Sequence, residues 1–183
     1  TYYVIQNLTQ GISYRENFES FTDGVCGGGL DILTRGWEAA PSATPTAYHW
    51  EVQNAGACGG TPSLTSGPRT DPTRGNGNFF YTASNRPGSV AYLYLPCVDF
   101  DGYNSAGMTF YYHMYGASMG TLSVEVYDDT LATWVSVYSI SGQQQNTPSD
   151  PWKIGAAKFE EFAGRELQIR FKADKGGPNS DMA

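Results

Sequence analysis

From Tyr81 onward, short apolar-rich runs alternate with turn signals at intervals of about 8–12 residues, and that cadence constrains the fold more than any other feature of the chain. The runs are Val90–Leu95 (halted by Pro96), Gly107–Tyr115, Gly120–Tyr127, Trp134–Ile140, Trp152–Phe159 and Glu166–Ala173. Leu122, Val124 and Val126 fall on one face of their run. In the last run Leu167, Ile169 and Phe171 point one way and Gln168, Arg170 and Lys172 the other. Period-two alternation of this kind belongs to half-buried strands. Asp128-Asp129-Thr130 reads as a hairpin turn between two of them. Thr1–Ile5 and Asn17–Phe21 also read as strands, with Gln6–Ser13 as a connector. No amphipathic helix and no internal repeat is evident. The predicted class is all-β, a sandwich or barrel.

The chain has 183 residues, room for one domain. Residues 1–13 read as a strand or a linker from a preceding region and 14–183 as the domain. With 18 acidic against 11 basic side chains the net charge is −7, which opposes binding to nucleic acid or anionic lipid and leaves carboxylates for cations. No segment has the apolar length needed to cross a bilayer, so no membrane insertion is expected. The start at Thr1 and the end at Ala183 read as those of an excised piece of a longer extracellular protein, secreted or at the cell surface. Of the three cysteines, Cys26 and Cys58 lie in Gly-rich loops and are expected to form a disulfide, leaving Cys97 free and buried as a small hydrophobe. No CxxC and only two histidines, His49 and His113, argue against zinc.

Thr22 to Pro68 is polar and rich in Gly and Pro, too long for an idle loop, and is expected to hold short strands together with a bound ion or a disulfide. Beyond it, Asp71 and Thr73 offer side-chain oxygens two residues apart, followed by Gly75 and Gly77, which let the backbone fold closely. These residues leave two readings open: an Asx-type turn, or a loop of oxygen donors for a hard cation such as calcium. A catalytic constellation is not signalled. There is no Gly-x-Ser-x-Gly elbow, His113 falls within an aromatic strand as a packed, hydrogen-bonded core residue, Glu125 faces outward, and Glu160-Glu161 and Gln143-Gln144-Gln145 read as solvated. The chain is read as no enzyme, with no catalytic residues.

Four blocks, in order, resemble the MAM domain of meprin, the A5 antigen and a receptor tyrosine phosphatase. They are Asn17-Phe18-Glu19; Trp50 followed by Thr61-Pro62-Ser63, Ser66-Gly67-Pro68 and Asp71-Pro72-Thr73; Phe110–Gly116 with Met119–Val124; and Phe171-Lys172-Ala173 with Gly176-Gly177 and Ser180–Ala183. The third block is the specific one. Gly107 stands where the family usually has a cysteine, Pro72 replaces its usual His, and the last strand is cut off at Ala183, which together suggest a divergent bacterial member. The resemblance implies a jelly-roll sandwich of two antiparallel sheets. It also implies a structural calcium or sodium held by Glu19, Asp71, Thr73 and Asp181, with a backbone carbonyl near Phe79. For function it implies an extracellular adhesion or binding module that meets a protein partner or neighbouring domains of its parent. The alternative is a carbohydrate-binding module of a secreted enzyme, with Trp37, Trp134 and Trp152, and also Tyr103 and Tyr127, as rings for stacking on sugars.

Overall fold

The computed structural model describes residues 3–6, 13–21, 36–41, 47–58, 63–73 and 75–183. Thirteen strands are formed among them: β1 (Tyr3–Gln6), β2 (Ser13–Glu16), β3 (Glu38–Ala40), β4 (Trp50–Asn54), β5 (Asn78–Thr82), β6 (Val90–Tyr94), β7 (Val98–Asp99), β8 (Gly107–Tyr112), β9 (Thr121–Asp128), β10 (Thr133–Ser141), β11 (Lys153–Lys158), β12 (Glu166–Leu167) and β13 (Ile169–Asp174). One helical turn, α1 (Ala55–Cys58), follows β4, and a 3-10 turn spans Glu160–Phe162. The large sheets run β11-β8-β1-β2 and β10-β9-β13-β6-β3, with the pairs β4-β5 and β12-β7 beside them. The result is an all-β antiparallel sandwich of the jelly-roll kind expected.

The alternation read from the sequence decides which faces meet. Leu122, Val124 and Val126 of β9 are buried, as are Met108, Phe110 and Tyr112 of β8 and Leu167, Ile169 and Phe171. Apolar side chains at every second position form one continuous inner face, and burying them supplies the main driving force for the fold. The Phe110 and Phe171 rings meet edge to face across the sandwich with centroids 5.0 Å apart, a geometry aromatic pairs favour. Hydrogen bonds tie the β4-β5 pair to the rest of the fold. The Trp50 indole N–H donates to the Ala91 carbonyl at 3.3 Å, and the Thr82 N–H donates to the Met182 carbonyl at 2.9 Å. Ala183 then exchanges both backbone hydrogen bonds with His113, at 2.6 and 3.0 Å, just beyond β8.

Four expectations are corrected. Asn17–Phe21 is a turn, closed by the Phe21 N–H on the Phe18 carbonyl at 3.0 Å. Phe18 and Phe21, three residues apart, both enter the core, and that spacing overrides the apparent alternation. The run Glu166–Ala173 divides at Gln168, whose carbonyl accepts the Tyr127 N–H. Gln145 is buried, not solvated: its Oε1 accepts the Met114 N–H at 2.8 Å, and its Nε2 donates to the Tyr112 carbonyl at 3.3 Å. Cys97 is free, as expected, but exposed. The predicted partner Cys26 and the side chain of Cys58 lie outside the described residues.

Candidate functional site

Two regions carry chemistry. The first is a corner built from turns. Glu16 Oε1 accepts the backbone N–H groups of Asn17 and Phe18 at 2.9 and 2.8 Å, and Asn17 Oδ1 accepts that of Glu19 at 3.2 Å. Phe18, held at φ 59°, is locked by ring contacts with Phe21, Trp37 and Phe80 at centroid distances of 5.5, 5.3 and 4.6 Å. The Asn78 side chain fixes the turn from the other side, its Nδ2 donating to the Phe18 and Phe21 carbonyls at 3.0 and 2.8 Å. This scaffold aims Glu19 at the start of β5, where its Oε1 accepts the Asn78 N–H at 3.2 Å.

Asp71 arrives from the long loop. Its Oδ2 accepts both the N–H and the hydroxyl of Thr73 at 2.9 and 2.8 Å, the Asx-turn geometry that was one of the two readings open from the sequence. Its Oδ1 accepts the Gly77 N–H at 3.0 Å. The two carboxyl groups meet over Gly77: a Cβ there would overlap Glu19 Oε1 and lie 3.0 Å from Asp71 Oδ2. Only glycine lets both approach. Like charges this close repel unless hydrogen-bond donors or a cation compensate them.

The structure brings Glu19, Asp71 and Thr73 together. Phe79 is fully buried two residues beyond Gly77. Asp181 is not part of this group, and no cluster of three acidic, His or Cys side chains suited to a metal occurs among the described residues. Asp181 instead clasps the last residues to two loops: its Oδ2 accepts the Ser66 hydroxyl at 2.9 Å and its Oδ1 the Ser84 N–H at 2.6 Å. Oxygen donors from two carboxylates and a hydroxyl suit a hard cation, and further backbone carbonyls or water would have to complete six to eight ligands.

The second region is the outer face of the five-stranded sheet. Register places Tyr94, Arg170 and Glu125 side by side on neighbouring strands. The Arg170 guanidinium grips Glu125 through Nη2 at 2.6 Å and Nε at 2.7 Å, and lies 4.1 Å from the Tyr92 ring centroid and 3.9 Å from that of Trp134. Trp134 also meets Tyr94 and Tyr127, with centroids 5.7 and 5.4 Å apart. Glu125, read as outward-facing, does face outward, yet this cover leaves it only 9% exposed. Sequence reasoning misses Tyr92 and Tyr94 as site residues, although they hold the parity opposite to buried Ala91 and Leu93.

The remaining candidates fall elsewhere. Trp37 is 1% exposed in the core and has no face for a sugar, a correction forced by its packing on Phe18 and Phe80. Tyr103 packs against the same core. Trp152 is half-buried, its indole N–H donating to the Thr70 carbonyl at 2.8 Å. His113 is fully buried, and neither ring nitrogen reaches a hydrogen-bond partner of good geometry among the described residues. Burial lowers its pKa to about 4, against the opposing pull of the Asp150 carboxylate and backbone.

Residues 17–183 match the family described as MAM domain, meprin/A5/mu. Neuropilin-1a of Danio rerio is 33% identical over 130 residues, covering 66% of this chain and 13% of that protein. Neuropilin-1 of Homo sapiens is 37% identical over 146 residues, covering 73% of this chain and 14% of its own length. The chain thus spans only a small part of these relatives. Among solved structures, the K1 cleaved adhesin domain of Lys-gingipain from Porphyromonas gingivalis W83 superposes with a TM-score of 0.55 at 12% identity, over 98% of this chain and 92% of that one. That likeness concerns the fold.

Proposed function

Because the chain belongs to the MAM domain family, we propose that it is a non-catalytic extracellular binding module whose partner is another protein. The observation that carries this reading is the cluster of Tyr92, Tyr94, Tyr127, Trp134 and Arg170 on the outer face of the five-stranded sheet. Tyr, Trp and Arg dominate the energetics of protein contacts. Here rotamers are fixed before any partner arrives, which lowers the ordering cost of association. A sugar platform is the second reading, since Trp134 and Tyr127 share this face. Their planes, however, are inclined by 59°, and those of Trp134 and Tyr94 by 64°, so the rings do not form a flat row. The test is a screen of the chain against extracellular protein ectodomains and immobilised polysaccharides, repeated with Trp134→Ala. Protein binding that falls at least tenfold in the variant supports the proposal. Polysaccharide binding lost on the same substitution replaces it with the sugar reading.

A structural cation at the corner, calcium or sodium, is part of the same proposal. Supporting it are the two carboxyl groups converging over Gly77 and the hydroxyl of Thr73 beside them. The cation would hold the turn at residue 19, the loop at 71–73 and the start of β5 together. Millimolar calcium should raise the unfolding midpoint, and EDTA should reverse the rise. A midpoint that calcium and EDTA leave unmoved removes calcium, and one also insensitive to exchanging sodium for a large organic cation removes the site.

A further inference from the structure

We propose that Trp152 is a positioning residue for the corner: it latches the Asp71 turn in place and thereby tunes its affinity for calcium. This rests on the cation reading above. The indole N–H bonds to the Thr70 carbonyl at 2.8 Å, one residue before Asp71. The ring also meets Phe79 edge to face, with centroids 5.6 Å apart, two residues after Gly77. Trp152 therefore touches both walls of the corner, the loop that brings Asp71 and the strand onto which Glu19 folds. An indole joins a large apolar body to a polar edge that donates and does not accept.

The support behind Trp152 is itself rigid. His113 also packs against the ring, with centroids 5.7 Å apart. Asp150 closes the preceding turn, its Oδ2 accepting the N–H groups of Asn146 and Thr147 at 2.8 and 3.1 Å and its Oδ1 the Thr147 hydroxyl at 2.6 Å. The Arg69 N–H donates to the Pro148 carbonyl at 3.0 Å, so the Asp71 loop is moored to this turn at two successive residues. A turn moored in this way presents Asp71 to a cation without further ordering, and a looser one would lose affinity to that ordering.

Trp152→Phe keeps the ring and removes the donor. Loss of one neutral hydrogen bond should weaken calcium binding about fivefold by calorimetry. In calcium-free protein it should also speed hydrogen exchange at Thr73 and Gly77, the amides that donate to Asp71. A third measurement needs no variant. Coupling is reciprocal, so calcium added to the wild-type chain should slow exchange of the Trp152 indole N–H. A wild-type chain that takes up no calcium overturns the calcium reading and this proposal with it. Calcium uptake with unaltered affinity and amide exchange in Trp152→Phe, or with no slowing at the indole, overturns the latch alone.

Discussion

The outer face of the five-stranded sheet and the Glu19–Asp71 corner solve one problem in different ways: how to keep carboxylates in partly dry surroundings. On the sheet the countercharge is covalent. Arg170 stands opposite Glu125 by strand register and is sheltered between Tyr92 and Trp134. At the corner, backbone amides and a hydroxyl meet Glu19 and Asp71. A pair built into a sheet is permanent. A corner built from turns would, in the cation reading, respond to ions in solution.

The sharpest way to break this contrast is Arg170→Met. It strands the Glu125 carboxylate beneath the aromatic cover, and a loss of about 3–5 kcal/mol is expected in denaturant unfolding. Adding Glu125→Leu should recover most of it, because the double variant leaves no buried charge alone. A double variant as unstable as the single one would mean that the pair holds the face by shape and not by charge balance.

Next in size is a response to acid behind the corner. Burial keeps the His113 ring neutral with a pKa of about 4 in the folded chain, against 6.5 for an unperturbed histidine. The unfolded chain therefore takes up the proton first as pH falls. This contribution to stability is full above pH 6.5 and declines toward pH 4, by about 3 kcal/mol at most. Unfolding measured across that window should show the decline, and His113→Phe should flatten it. An equal decline in the variant would place the acid sensitivity elsewhere.

The smallest expected effect is Asp71→Ala without calcium. Three hydrogen bonds are lost with the carboxylate; two of the donors belong to exposed Thr73, where water can replace the carboxylate, and the third is the buried Gly77 N–H, so about 2 kcal/mol is expected. The calcium-dependent rise in the midpoint should vanish in the same variant. If the rise persists, Asp71 is a turn residue only and the corner resembles the sheet face after all.

How much was legible follows from these regions. The class and the inner faces of β8, β9 and β13 could be read because alternation is local: successive side chains on a strand point to opposite sides whatever the rest of the chain does. The same parity marks Tyr92, Tyr94 and Arg170 as outward, though not their gathering, which needs three strands in register. The Asx turn at Asp71 was legible from its own residues. Its meeting with Glu19 rested on a family likeness, since nothing periodic links the two positions. Asp181 shows the limit of that route: it lies in a matching block yet serves Ser66 and Ser84.

The sequence by itself determined an all-β chain, the faces its strands bury, and acidic turn residues at the places where turns close. The tertiary structure decided which turns meet. It sent Trp37 into the core, drew Gln145 inside to hold β8, left Cys97 exposed, and turned Trp152 from a ring free for a ligand into a strut under the Asp71 loop. Backbone geometry fixes side-chain direction within a strand, whereas the paths of the loops between strands are set by packing and hydrogen bonds to distant residues, which leave no local pattern to read.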